Sequence, residues 1–212
     1  MKTEDLINAI AQDAAARTMP MSWRLIFAVG GGCVLAALAL VATIGVRPDI
    51  WSALGTWRFD AKLLSVVAVL AGAWGAVRHL SRPQGDSRSA LFSAALPMLV
   101  AVVAIAAELL SAPVATWGQR AIGSNAKLCL VAILGLSLAP LAVLLATMRA
   151  GAPRSPSLAG GAIGLLAGAI GALFYAIHCP DDSPLFVALW YTPPIAVMAA
   201  TGAVLGNRML RW

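Results

Sequence analysis

Two cysteines, Cys129 and Cys179, are the residues of this sequence whose chemistry best suits detection of a soft metal ion or an oxidant. A thiolate is both a nucleophile and a soft ligand, and the imidazole of His178 suits similar cations. The third cysteine, Cys33, follows three glycines and is predicted to pack as a small hydrophobic residue. No C-x-x-C motif is present, which argues against a zinc ribbon or a thioredoxin-like site. We therefore predict a redox pair of Cys129 and Cys179, or a soft-metal site that also includes His178.

The segment around Cys179 also permits a purely structural interpretation. The run H-C-P-D-D-S-P contains two helix breakers, Pro180 and Pro184. Asp181 or Asp182 could cap the helix that follows. For these two acids we favour the structural role.

No residues with the spacing of a known catalytic site are present. The sequence lacks a G-x-S-x-G elbow, a Walker loop and an H-E-x-x-H pair. Its two histidines, His79 and His178, fall on opposite sides of the membrane in the topology derived below. We predict that the protein is not an enzyme and has no resident cofactor, a soft metal ion acting only as an inducer.

The composition is that of an integral membrane protein. Of the 212 residues, 60% are hydrophobic and only 11% are charged, whereas soluble domains have about 25% charged residues. The mean hydropathy is +0.85. The net charge of +6 comes from basic residues beside apolar runs rather than in one patch, which favours a membrane over direct nucleic-acid binding.

Six apolar segments are long enough to cross a bilayer, which needs about 20 residues per helix. We predict an all-α protein with a cytoplasmic N-terminal segment, residues 1–23, and a six-helix transmembrane domain, residues 24–212. The predicted spans are 25–46, 61–80, 90–110, 128–148, 158–177 and 185–206.

The distribution of basic residues predicts that both termini are cytoplasmic, in a bacterial inner membrane. With the N-terminus inside, ten of the 15 Lys and Arg residues lie inside and five outside, in agreement with the positive-inside rule. The inner group is Lys2, Arg17, Arg24, Arg78, Arg82, Arg88, Arg149, Arg154, Arg208 and Arg211, and the outer group is Arg47, Arg58, Lys62, Arg120 and Lys127.

This topology places Cys129 and Cys179 at similar depth on neighbouring helices. Helices four and five form a hairpin around the short inner loop 149–157. Cys129 lies 20 residues before Arg149, and Cys179 lies 23 residues after Pro156. At 1.5 Å per residue the two depths differ by only ~5 Å. Both thiols are therefore expected to face the oxidising compartment, each as the nearest thiol to the other.

Small residues and prolines make further predictions about helix packing. Residues 160, 164, 168 and 172 are glycine or alanine, and this spacing predicts a close helix-packing face. Pro97, Pro140 and the pair Pro193–Pro194 are predicted to kink or locally unwind their helices.

Two ionisable residues fall in or beside predicted spans. Lys62 lies at one end of the second segment and is predicted to snorkel to the interface. Glu108 is either functional or, because it is close to the interface, merely solvated.

The N-terminal segment is predicted to form a short amphipathic helix. Thr3 is a plausible N-cap, and Leu6 and Ile10 belong to a narrow apolar stripe flanked by Asp5 and Asp13. So short a helix is marginal alone and would gain stability in a partner's groove. The alternative is a helix on the membrane surface, which its acidic residues make less favourable.

The chain resembles the NrsF family of membrane anti-sigma factors along essentially its whole length. The resemblance rests on "MKTEDLINAIAQDA", "KLCLVAILGLSLAPLAVLLATMRAGAP", "LFYAIHCPDDSPLFVALWYT" and the terminal "RMLRW", with H-C-P-D-D-S-P as the most specific part. It implies that the N-terminus, with Asp5, Leu6, Ile10 and Asp13, holds an extracytoplasmic-function sigma factor. It also implies release when a metal or oxidative stress is sensed at Cys129 and Cys179. The chain departs from the expected pattern at Leu134 and at Pro193–Pro194.

Two other functions are compatible with a bundle of apolar helices. A small transporter or metal-export channel would need charged groups along a path near the midplane. The helix centres are instead Ala, Leu, Val and Gly, which disfavours transport. A structural membrane scaffold is the third alternative.

Overall fold

The computed structural model describes residues 3–4, 19–81, 93–151 and 153–210. Within these ranges the regular structure is helical, with no strand, as the all-α prediction requires. The helices are α1 (Met21–Thr43), α2 (Ile50–Ala53), α3 (Trp57–Leu80), α4 (Ala95–Ser111), α5 (Trp117–Ile122), α6 (Ala126–Met148), α7 (Pro156–His178), α8 (Pro184–Trp190) and α9 (Thr192–Met209), with a 3-10 turn at Val114–Thr116. The predicted N-terminal helix, with Asp5, Leu6, Ile10 and Asp13, lies outside the described residues.

Five helical stretches of the described chain are long and apolar enough to cross a membrane: α1, α3, α6, α7, and α8 with α9. A sixth arises if α4 and the helical segment after it are counted as one span, although the two are bent by 119°. The sequence therefore predicted the helices well, while the count of six depends on this bent pair.

Helix α7 lies at the centre of the bundle, where α9, α6, α3 and α1 pack around it. The predicted small-residue face is confirmed on its contact with α9. A Cβ built on Gly160 would lie 2.7 Å from the Cα of Gly206, and one on Gly164 would lie 2.9 Å from the Cα of Ala199. Glycine is therefore required for the two backbones to approach this closely.

The prolines have three different effects. The prediction is confirmed at Pro193–Pro194, since α8 ends and α9 begins on either side of Tyr191, just before the pair. It is wrong for Pro97, which lies in the first turn of α4, where a missing N–H costs no helical bond. Pro140 does not unwind α6, which runs unbroken through it. Instead it packs closely against Gly32 of α1, where an added Cβ would lie only 3.2 Å from the Pro140 Cα.

Large apolar side chains cover much of the outer surface of the long helices. Phe27, Leu38, Val103, Val131 and Leu138 are all 58–70% exposed. Soluble monomers rarely leave so much contiguous apolar surface in contact with water. The fold is thus compatible with a lipid environment.

The long helices alternate in direction, so their termini form two ends of the bundle. One end contains the last turn of α1, the first turns of α3 and α6, and the last turn of α7. We call it the cysteine end because Cys129 and Cys179 lie there. The opposite end contains the first turn of α1, which follows the N-terminal segment.

Candidate sensing site at the cysteine end

The two thiols lie in one buried cluster. Cys129 is the fourth residue of α6 and Cys179 directly follows α7, and both side chains are 0% exposed. They share an apolar cluster with Tyr175, Phe186 and Tyr191. Both are free thiols. The two cysteines thus lie in one cluster, as their similar depths predicted.

Each thiol makes a weak contact with a backbone carbonyl. The Cys129 thiol faces the carbonyl of Trp190 at 3.5 Å, and the Cys179 thiol faces that of Asp181 at 3.8 Å. Burial raises the pKa of the Cys179 thiol, and the positive charge of Lys62 opposes this effect only in part. The Cys179 thiol is consequently protonated in this state.

The two tyrosines of the chain lie beside these thiols. Tyr175 and Tyr191 have ring centroids 5.8 Å apart, and both pack in the apolar cluster that contains the two cysteines. Their hydroxyl groups are buried and find no hydrogen-bond partner among the described residues. A buried hydroxyl group without a partner is unfavourable in an apolar cluster.

Lys62 does not snorkel, which corrects the prediction from sequence. Helix α3 begins at Trp57, because Thr56 caps it by accepting a hydrogen bond from Phe59 N, and this start places Lys62 in the second turn. The side chain is 0% exposed. Its ammonium group donates to the carbonyl of Cys179 at 2.8 Å and forms an ion pair with Asp182. The charge is thus neutralised in place rather than carried to the interface.

Arg47 is the second cation that binds Cys179 and Asp182. Its guanidinium group forms ion pairs with Asp49 at 2.7 Å and Asp182 at 2.9 Å, and donates to the carbonyl of Cys179 at 3.2 Å. The hydrogen bond from Arg47 lowers the pKa of Asp49 to about 2, and the same bond raises the pKa of Arg47. The carbonyl of Cys179 therefore accepts hydrogen bonds from two buried cations.

His178 faces the end of α1. Its Nδ1 lies 3.0 Å from the carbonyl oxygen of Gly45 and donates to it, because a carbonyl can only accept. Among the described residues, no group of three or more His, Cys, Asp and Glu side chains is placed to hold a metal ion. The soft-metal site of Cys129, Cys179 and His178 is therefore not assembled in this structure, and it stays a prediction.

Glu108 is neither exposed nor solvated, which corrects the second prediction for an ionisable residue. It is 0% exposed and forms ion pairs with Arg58 at 2.8 Å and Arg120 at 3.0 Å. The hydroxyl group of Ser183 also donates to it, at 3.3 Å. The described part of the bundle thus contains buried ion pairs, which lie near one end rather than at the midplane.

Asp181 and Asp182 have structural partners, but not the predicted ones. Asp181 accepts hydrogen bonds from the backbone N–H of Ser124 at 3.0 Å and of Asn125 at 2.9 Å, at the start of α6. The residue that caps α8 is Ser183, which accepts from Leu185 N. The two acids thus fasten the segment after Cys179 to α1, α3 and α6.

Sequence reasoning missed Arg47, Lys62 and Asp182 as parts of this site. One signal was available, namely basic residues next to the second span in a chain with few acids to neutralise them. The assignment of each cation to Asp182 required the folded packing, since Lys62 and Asp182 are 120 residues apart in the chain.

The chain is similar to known proteins along its whole length. The family model described as "Negative regulator of sigma F" matches residues 10–212. The chain is 38% identical over 213 residues to the probable anti-sigma-F factor NrsF of Azospira oryzae, and 33% identical over 214 residues to the anti-sigma-F factor NrsF of Caulobacter vibrioides. Each alignment covers 100% of both chains, and no solved structure matches. The chain therefore belongs to the NrsF family of negative regulators of sigma F.

Proposed function

We propose that the protein is a bacterial inner-membrane anti-sigma factor that holds an extracytoplasmic-function sigma factor and releases it when a signal reaches Cys129 and Cys179. The observation that carries the proposal is the full-length similarity to two anti-sigma-F factors, in a chain that buries both thiols in one cluster. The protein acts by binding rather than by catalysis, and it does not contact nucleic acid directly.

Membrane insertion with both termini in the cytoplasm accounts for the apolar surface and the charge distribution. The exposed side chains of the long helices are mostly apolar, as lipid requires. The excess of Lys and Arg on the side of the termini follows the positive-inside rule. This orientation places the cysteine end outside the cytoplasm, where thiols meet oxidants and metal ions.

The sensing chemistry proposed for the thiols has two forms. A two-electron oxidant would join Cys129 and Cys179 in a disulfide, with release of two protons and transfer of two electrons to the oxidant. A soft metal ion would instead displace the thiol protons and bind both sulfur atoms, with His178 as a further ligand after its ring leaves Gly45. Both forms draw the two sulfur atoms together and disturb a packed cluster.

The proposed sigma-factor site is the N-terminal segment. The apolar stripe of Leu6 and Ile10 enters a groove on the sigma factor, and Asp5 and Asp13 contact basic groups at its rim. A transporter fits less well, because Lys62 and Glu108 are already paired with other side chains near one end of the bundle.

The test is co-purification of the sigma factor with the full-length protein solubilised from membranes. We expect Leu6→Lys and Ile10→Lys to lose the sigma factor while reaching the membrane in normal amounts, since a lysine there would be desolvated without a partner. Lys2→Glu is a control that changes charge outside the stripe. If both stripe variants retain the sigma factor at the wild-type level, the stripe is not the binding face.

A further inference from the structure

The short segment after α1 is fastened to the residues around Cys179 by five hydrogen bonds. The backbone N–H of Arg47 donates to the carbonyl of Ile177 at 3.3 Å, and the ring of His178 donates to the carbonyl of Gly45 at 3.0 Å. The guanidinium group of Arg47 adds its bonds to the carbonyl of Cys179 and to both carboxylate oxygens of Asp182. Residues 45–47 therefore form one hydrogen-bonded unit with residues 177–182, which we call the α1 clamp.

The clamp is attached to α1 without a flexible linker. Gly45 adopts a left-handed conformation, with φ of 71°, and its N–H donates to the carbonyl of Leu40 at 2.8 Å. This bond closes the last turn of α1 directly onto the clamp. Helix α1 has 23 residues and so a length of about 34 Å, and its other terminus directly follows the N-terminal segment. A single rigid element thus connects the neighbourhood of Cys179 to the segment proposed to hold the sigma factor.

The geometry of the clamp depends on the state of Cys179. Two of its bonds involve Cys179 or the residue before it. The guanidinium group of Arg47 donates to the Cys179 carbonyl, and the ring of His178 donates to the Gly45 carbonyl. The Cys179 side chain is fully buried, so a new sulfur bond or a bound ion requires the closely packed groups around it to move. Any such movement changes the distances on which the clamp relies.

We propose that Arg47 and His178 are coupling residues that transmit the state of Cys179 to α1 and so to the N-terminal segment. This inference rests on the proposed function. In this proposal the clamp belongs to the state in which Cys129 and Cys179 are free thiols and the sigma factor is held. Loss of the clamp then favours the releasing state even without an inducer.

The test uses the full chain and a reporter gene transcribed by the sigma factor. We expect Arg47→Met to raise uninduced transcription several-fold at a normal membrane amount of protein, because it removes the side-chain bonds to both Cys179 and Asp182. His178→Ala should produce a smaller rise, since it removes one bond, that of the partly buried ring to the Gly45 carbonyl. Uninduced transcription separates this coupling role of His178 from any role as a metal ligand.

Arg58→Met is the matched control. It removes an arginine that also forms an ion pair at the cysteine end, in its case with the buried Glu108, but that has no bond to the clamp. It should leave uninduced transcription near the wild-type level. Arg47→Lys, which keeps the charge but not the forked geometry, should fall between wild type and Arg47→Met.

Two results would overturn the inference. In the first, both Arg47→Met and His178→Ala keep wild-type transcription with and without cadmium or diamide. In the second, Arg58→Met raises transcription as much as Arg47→Met does, which would indicate general loss of structure. Cys179→Ser is measured in parallel. If it too responds normally to both inducers, the proposed sensing function fails. If Cys179→Ser does not respond while Arg47→Met shows wild-type transcription, only the coupling is refuted.

Discussion

The α7–α9 contact and the cysteine end are held together by opposite means. At the α7–α9 contact, glycines let two backbones meet, and the attraction is dispersion between many closely packed atoms. At the cysteine end, buried cations pair with a few acids and with the carbonyl of Cys179. Close packing does not depend on any single bond. A buried ion pair does, because losing one partner leaves an uncompensated buried charge that destabilises the fold. The first contact suits a fixed scaffold and the second suits a switch.

The largest effect on stability is expected from Lys62→Met. Breaking a buried ion pair by removing one partner costs about 3–5 kcal/mol, and the loss here should lie at the lower end because Arg47 still pairs with Asp182. The measurement is the thermal unfolding of the protein in detergent. A single variant as stable as wild type would show that the pair does not hold this end together.

A smaller effect is expected at the α7–α9 contact from Gly164→Ala. The added Cβ would lie 2.8 Å from the carbonyl carbon of Met198, and backbone cannot move aside cheaply, so we expect a loss of about 1–3 kcal/mol. Gly161→Ala is the matched control, because its Cβ would make two ordinary contacts, at 3.6 Å to the Ala203 Cβ and at 3.7 Å to the Ala199 carbonyl oxygen. Alanine there should be neutral or stabilising. Equal melting temperatures for the two variants would contradict the close contact.

The smallest effect is expected from Tyr191→Phe, which removes a buried hydroxyl group that has no partner in the described structure. Deleting such a group without changing the ring should leave the free energy of unfolding unchanged or raise it by up to about 1 kcal/mol. Thermal unfolding in detergent checks this. A clear loss of stability would mean that the hydroxyl is hydrogen-bonded, with the neighbouring Cys179 thiol as the first candidate.

The comparison of these two regions also explains what the sequence could predict. The glycine face follows from a four-residue period along one helix, and the depth of the cysteines follows from counting along two helices joined by a short loop. Both are local properties. The burial of Lys62 depends on where α3 begins and on an acid 120 residues away, and neither can be inferred from an apolar run. Glu108 was misjudged for the same reason, since its partners Arg58 and Arg120 come from two other elements.

The central claim, that Cys129 and Cys179 sense the signal as one unit, is tested most directly by the response of the sigma-dependent reporter to cadmium and to diamide. Residues that act as a unit are non-additive, so Cys129→Ser, Cys179→Ser and the double variant should all lose induction to the same extent. Cys33→Ser should respond like wild type, and mass labelling of free thiols after denaturation should show that diamide makes both sensor cysteines unreactive. Full induction in either single sensor variant, or sensor thiols whose labelling no inducer changes, would contradict the account.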